Sequence, residues 1–286
     1  MNNLLEINDL SKNYSQFHLE NIHLLLPPGY IMGFIGPNGA GKTTTIKLIL
    51  NMIRRDSGEI KIDGMDNIKE EKRIKQDIGV VFDTHCLCES WNVMDTEKAL
   101  SPFYEKWDSE GYHKLISQFH LSAKKKVKDF SRGMQMRLML ACALSHDAKL
   151  LILDEPTSGL DPVVRDELLD ILAEYISDGQ RSILFSTHIT TDLEKIADYI
   201  TFIENGKMVY SGGKDELIDS FRRVLGGRHE ITSEQKGKIV GYRENSIGFE
   251  GLIKTSDRAS FQNVEMEPVT IDQIMVAVHK GGLTDE

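Results

Sequence analysis

One stretch, Gly36-Pro37-Asn38-Gly39-Ala40-Gly41-Lys42-Thr43, constrains this chain more than any other. It fits G-x-x-x-x-G-K-[ST], a loop whose glycines let backbone N–H groups wrap a phosphate without Cβ clashes. The apolar run Tyr30 to Ile35 precedes it and reads as a buried strand. From Lys42 onward the spacing of Ile46, Leu50 and Ile53 is helical. Strand, glycine loop and helix in that order aim the positive end of a helix dipole at the phosphate. Lys42 then neutralises the β/γ-phosphates of a nucleotide, and the Thr43 hydroxyl can ligate Mg²⁺.

The rest of the chain supplies the sheet such a loop needs. Leu4 to Asn8 and Leu19 to Leu26 read as strands, followed by the turn Pro27-Pro28-Gly29. Gly79 to Phe82, Lys149 to Leu153 and Ser182 to Ser186 are further short apolar strands. Residues from about 92 to 147 read as helices, with Leu115, Phe119, Leu138, Ala141 and Leu144 at apolar positions. Strands alternating with helices predict an α/β fold whose mostly parallel sheet is covered on both faces, with the helical stretch inserted between two core strands. After Leu225 the pattern changes. Gly226-Gly227 reads as a hinge, Glu230 to Phe261 holds short strand-like runs, and Thr270 to His279 reads as a helix with Ile271, Ile274 and Val278 on one face. The expected division is a core over 1–225, with the helical insertion at about 84–147, and a small α+β appendage over 226–286.

A second chemical group stands at the end of the strand Leu150-Leu151-Ile152-Leu153, where Asp154 and Glu155 follow. Parallel sheets carry their chemistry at the carboxyl ends of strands. Asp154 there would hold Mg²⁺, and Glu155 would orient and deprotonate an attacking water. By contrast His85, Cys86 and Cys88 lack a fourth ligand and normal zinc spacing. Cys142 reads as a small core residue on a helix.

Composition narrows the partners. Among 286 residues, 44 acidic side chains against 34 basic ones leave a net charge of −10, which disfavours a dedicated nucleic-acid binder. Three cysteines suit a reducing compartment. The start MNNLLEIND has no basic and apolar signal regions. The longest stretch without Asp, Glu, Lys or Arg, Asn21 to Gly41, contains Pro27-Pro28-Gly29 and the glycine loop, so it cannot cross a bilayer as a helix. A membrane role therefore requires another chain to do the spanning.

Further motifs, in order, make the chain resemble the ATP-binding subunits of ABC transporters over roughly residues 4 to 225. Phe130-Ser131-Arg132-Gly133-Met134-Gln135 is similar to that family's signature, usually Leu-Ser-Gly-Gly-Gln; Ser158-Gly159-Leu160-Asp161 matches its D-loop; His188 matches its switch histidine; Tyr14 falls where it stacks an aromatic ring on adenine. The resemblance implies a P-loop NTPase (RecA-like) core, an N-terminal antiparallel β subdomain, and a helical subdomain carrying the signature. It implies ATP and Mg²⁺ as ligands. Gly36, Asn38, Gly39, Ala40, Gly41, Lys42, Thr43 and Thr44 would bind the phosphates, and Thr43, Asp154 and Asp83 the metal. Glu155, His188 and Lys42 would be catalytic. Ser131, Gly133 and Asp161 would complete the nucleotide site of a second ATPase subunit.

Three positions depart from the family. Asp83 stands where Gln is usual, and either serves Mg²⁺ as a carboxylate or loses the contact. Arg132 replaces a signature glycine, and either points to solvent or adds a cation near the phosphates. Met134 replaces the signature Gln, although Gln135 follows. The signature Ser-Arg-Gly-Met-Gln and the tail Glu267-Pro268-Val269-Thr270-Ile271-Asp272-Gln273-Ile274-Met275 most resemble ATPases of ABC-2-type exporters of Gram-positive bacteria. That implies an ABC-2-type membrane-spanning subunit as partner and a place on the inner, cytoplasmic face of the cell membrane. Glu89, Trp91, Phe103, Tyr104 and Trp107 are candidates either for the surface facing that subunit or for core. Family members that work on ribosomes or nucleic acid usually carry two ATPase units or a long coiled-coil insertion, and neither is visible.

Overall fold

The computed structural model describes residues 3–84 and 86–281. His85 of the discounted metal motif lies outside the described residues. Two strands open the chain, β1 (Leu5–Asn13) and β2 (His18–Leu26), then β3 (Ile31–Ile35) and α1 (Lys42–Ile49). Next come β4 (Ser57–Ile62), β5 (Met65–Asp66), α2 (Glu71–Ile74) and β6 (Ile78–Val81). The helices α3 (Val93–Leu100), α4 (Ser109–Gln118) and α5 (Arg132–Leu144) form the predicted insertion. The core resumes with β7 (Leu150–Asp154), α6 (Pro162–Tyr175), β8 (Ser182–Thr187), α7 (Thr190–Ile196), β9 (Tyr199–Glu204), β10 (Lys207–Gly213) and α8 (Lys214–Asp219). The chain then runs through β11 (Phe221–Gly226), α9 (Ser233–Gly237), β12 (Val240–Glu244), β13 (Phe249–Lys254), β14 (Glu265–Glu267) and α10 (Ile271–Gly281).

Among the described residues the first ten strands form one sheet in the order β5-β4-β1-β2-β10-β9-β3-β8-β7-β6. The β9-β3-β8-β7-β6 part is parallel, and the β5-β4-β1-β2 part is antiparallel. This is the α/β, P-loop NTPase arrangement expected. Period-2 alternation explains why both faces of the parallel part are dry. On β7, Leu151 and Leu153 pack into one apolar cluster with α5, α6 and α7, while Leu150 and Ile152 pack into a second one with α1. Ile183 and Phe185 of β8 divide from Leu184 in the same way.

The C-terminal part differs from expectation in two respects. Phe221–Gly226 is already a strand of the second sheet, ordered β12-β13-β11-β14, so a cut at 225 falls inside β11. Gly226 pairs with Phe249 instead of acting as a free hinge. In addition α10 does not pack only on its own sheet. Ile271, Ile274 and Val278 are buried in the same cluster as Leu193 and Ala197 of the core, and Ile271 N–H donates to Glu194 Oε1 at 2.9 Å.

In the insertion, Trp107 is half-buried and Tyr104 stacks on the buried His146 ring at 3.9 Å, so both serve packing. Phe103 alone of that aromatic set is largely exposed, at 72%. Cys142 is buried on α5, and burial pushes its thiol up to about 12, which keeps it an inert core group.

Candidate active site

The glycine loop joins β3 to α1 as predicted. Gly36 at φ +156° and Gly41 at φ +117° adopt backbone that side-chain-bearing residues avoid. A Cβ on Gly36 would meet the Ile203 carbonyl at 2.2 Å; one on Gly41 would meet Leu19 and Phe17 within 3.0 Å. Two neighbours therefore shape the loop from outside. The β9–β10 turn holds it through Gly206 N–H to Ala40 O at 3.0 Å, and the β1–β2 hairpin presses Phe17 and Leu19 on it. Tyr14 sits in that hairpin, exposed, with the Lys12 ammonium 5.6 Å from its ring centre. Phe17 was not singled out in the sequence; its only signal is a second aromatic in the same short hairpin. Asn38 and Gly39 are exposed at the loop's tip, and Thr44 is half-buried one residue beyond Thr43.

Lys42 is buried, yet its ammonium stays hydrogen-bonded. Nζ donates to Gly36 O at 2.7 Å and stands 3.6 Å from Glu155 Oε1. Glu155 in turn reaches His188, expected as the switch histidine: its Oε2 is 2.7 Å from His188 Nδ1 and accepts from His188 N–H at 3.3 Å. Glu155 has φ +53°, left-handed for a non-glycine residue, a conformation that costs about 1–2 kcal/mol. Its N–H donates to Ser186 O at 2.8 Å, which pins the turn to the neighbouring strand. Strain held in this way is typical of functional turns.

Next to it, Asp154 is buried at the end of β7. Its Oδ2 accepts from Thr43 Oγ1 at 3.0 Å, and its Oδ1 is buried with no partner. Burial raises the Asp154 carboxyl above its ordinary value, with the Thr43 hydrogen bond opposing. A buried, unpartnered carboxylate oxygen beside a hydroxyl suits a hard divalent cation, which takes oxygen ligands. These two residues therefore fit Mg²⁺.

Asp83, expected as a possible third metal ligand, is paired with Arg132 in this structure. The guanidinium Nη2 donates to Asp83 Oδ1, with both side chains about half exposed.

The signature and D-loop residues gather in a second patch. Ser131 caps α5, its Oγ accepting from Met134 N–H at 3.3 Å. Asp161 caps α6, its Oδ1 accepting from Val163 and Val164 N–H, both at 3.1 Å. A Cβ on Gly133 would stand 3.6 Å from Leu160 and 3.7 Å from Val164, ordinary contact. Packing within this chain therefore does not require a glycine at 133. Among the described residues, none of the hydrogen bonds of Ser131 or Asp161 reaches the phosphate loop.

Fold and site together define a P-loop nucleoside triphosphatase domain, with phosphate loop, buried strand-end aspartate and neighbouring glutamate in one cluster. Residues 19–158 match the ABC transporter family. The chain is 35% identical to the lantibiotic transport ATP-binding protein SrtF of Streptococcus pyogenes, over 78% of this chain and 97% of that one. It is 34% identical to the bacitracin transport ATP-binding protein BcrA of Bacillus licheniformis, over 84% and 79%. A solved ATP-binding subunit of an ABC transporter superposes with a TM-score of 0.69 at 29% identity, covering 75% of this chain and 91% of that one. This chain belongs to the ATP-binding subunits of ABC transporters, and it is an ATPase of that family.

Proposed function

We propose that this chain hydrolyses Mg·ATP to drive export of a peptide-like or other amphipathic substrate through a separate ABC-2-type membrane subunit. The observation that carries the hydrolytic part is the Lys42–Glu155–His188 cluster beside Thr43 and Asp154. Lys42 exchanges its contacts with Gly36 O and Glu155 for the phosphates of ATP. Thr43 and Asp154 would hold Mg²⁺, which when bound would supply charge neutralisation at the phosphates. Glu155 accepts a proton from the attacking water, and His188 holds that carboxylate in place.

Pairing of two ATPase subunits follows from the second patch. The N terminus of α5 has free N–H groups, a dipole and a glycine that its own chain does not need. Those features suit the γ-phosphate of a nucleotide held by a second copy or a homologous subunit. The export reading is supported by the printed roles of the lantibiotic and bacitracin relatives. No helix among the described residues is long and apolar enough to cross a membrane, so attachment to the inner face falls to the membrane subunit.

The test uses the full chain with ATP and Mg²⁺, reading hydrolysis by phosphate release and mass by light scattering. Mg²⁺-dependent turnover with ATP-promoted doubling of mass supports the proposal. Binding without turnover, or a fixed monomer, contradicts it. Detergent co-purification with a polytopic membrane subunit tests the export role.

A further inference from the structure

Two departures from the family pattern meet each other in this fold. Asp83 lies two residues past β6, and Arg132 is the first residue of α5. They are 49 residues apart in sequence. β6 runs parallel to β7 with Val81 opposite Leu153, so Asp83 hangs from the same end of the sheet as Asp154 and Glu155. The turn after β7 also touches this arginine. Gly159 has φ +71°, and a Cβ there would come within 3.3 Å of Arg132 Cδ and Nε. The Arg132 side chain therefore spans from the loop after β6 to the turn after Glu155, with the N terminus of α5 attached to it.

The contact also offsets an electrostatic conflict within α5. A cation in the first turn of a helix opposes the helix dipole. α5 has no acidic residue of its own in that turn. Asp83 supplies the negative charge from outside the helix.

We propose that Asp83 and Arg132 are a positioning pair that fixes the N terminus of α5, with Ser131 and Gly133, relative to the strand ends carrying Asp154 and Glu155. This rests on the reading of α5 as a phosphate-binding element. The pair does no chemistry. It sets the angle at which the helical insertion meets the sheet, and so the angle at which Ser131 and Gly133 are presented to a second subunit's nucleotide. Both side chains are about half exposed, at 45% and 47%, so the pair has the strength of a surface ion pair and acts through geometry.

A double-mutant cycle on the full chain tests it, with Asp83→Asn, Arg132→Gln and the two combined. The readouts are kcat, KM for ATP and the Mg²⁺ concentration giving half-maximal rate. Each single substitution is expected to lower kcat about two- to fivefold, leaving KM and the Mg²⁺ requirement unchanged. The combined variant is expected to be no worse than the poorer single one. Additive losses would overturn the proposal. So would a shifted Mg²⁺ requirement in Asp83→Asn that Arg132→Gln lacks, since that makes Asp83 a metal ligand. Absence of ATP binding by the unsubstituted chain would instead refute the reading of the site, before the pair is at issue.

Discussion

His188 Nδ1 stands 2.7 Å from Glu155 Oε2, while the other oxygen of the same carboxylate faces the Lys42 ammonium at 3.6 Å. One carboxylate thus sits between the buried lysine of the glycine loop and the histidine that follows β8. Its left-handed backbone shows that the turn is held there against local preference. His188→Ala leaves Glu155 without its orienting partner. We expect kcat to fall about 10²-fold, within the range for positioned acid–base groups, with ATP affinity little changed. Measuring kcat and ATP binding on the same preparation checks this, and a loss confined to ATP affinity would contradict it.

Lys42→Ala removes the buried ammonium from the loop. ATP binding, read by titration calorimetry, is expected to weaken at least tenfold while the fold, read by circular dichroism, persists. Unchanged affinity would mean that the loop does not hold the phosphates.

Asp154 gives a prediction about pH. Its carboxyl is raised by burial, so ionising it in the folded state is unfavourable compared with the unfolded chain. Its stability contribution is therefore fully present below the unfolded value and is lost as pH rises through the folded one. Without metal or nucleotide, Asp154→Asn should raise Tm at pH 7 and give little gain near pH 4. The same variant should lose Mg²⁺-dependent hydrolysis. A lower Tm at pH 7 would mean that the charged form is stabilised in the empty site.

The C-terminal helix is expected to be part of the core. Ile274 on α10 is buried with Leu193 of α7. Ile274→Ala should lower the unfolding free energy by about 2–5 kcal/mol, measured by denaturant titration. An unchanged midpoint would show that α10 does not dock.

The legible parts of this molecule were those with local chemistry. The loop Gly36–Thr43 and the pair Asp154-Glu155 depend on residue types within one short segment, and spacing alone brings strand, turn and helix into line. The strands β9 and β10 were not read from the sequence, although Ile200, Phe202 and Ile203 are fully buried. A short apolar run without a neighbouring motif does not distinguish a central strand from a helix segment. The shared core of α10 and α7 and the boundary inside β11 were also hidden, because Gly226-Gly227 looks like a linker until Phe249 is seen opposite it. Asp83 and Arg132 could be read only as separate anomalies. Their pairing depends on how the insertion sits on the sheet, which no local spacing encodes.

If Glu155 is the base of the ATP-hydrolysing site, Glu155→Gln removes that one function. Amide for carboxylate keeps the shape of the side chain and removes its ability to take a proton. The measurement is ATP turnover together with the nucleotide retained on the full chain in Mg²⁺. Turnover is expected to fall to background with intact ATP still bound and the paired form enriched; turnover at the unsubstituted rate would show that Glu155 is not the base.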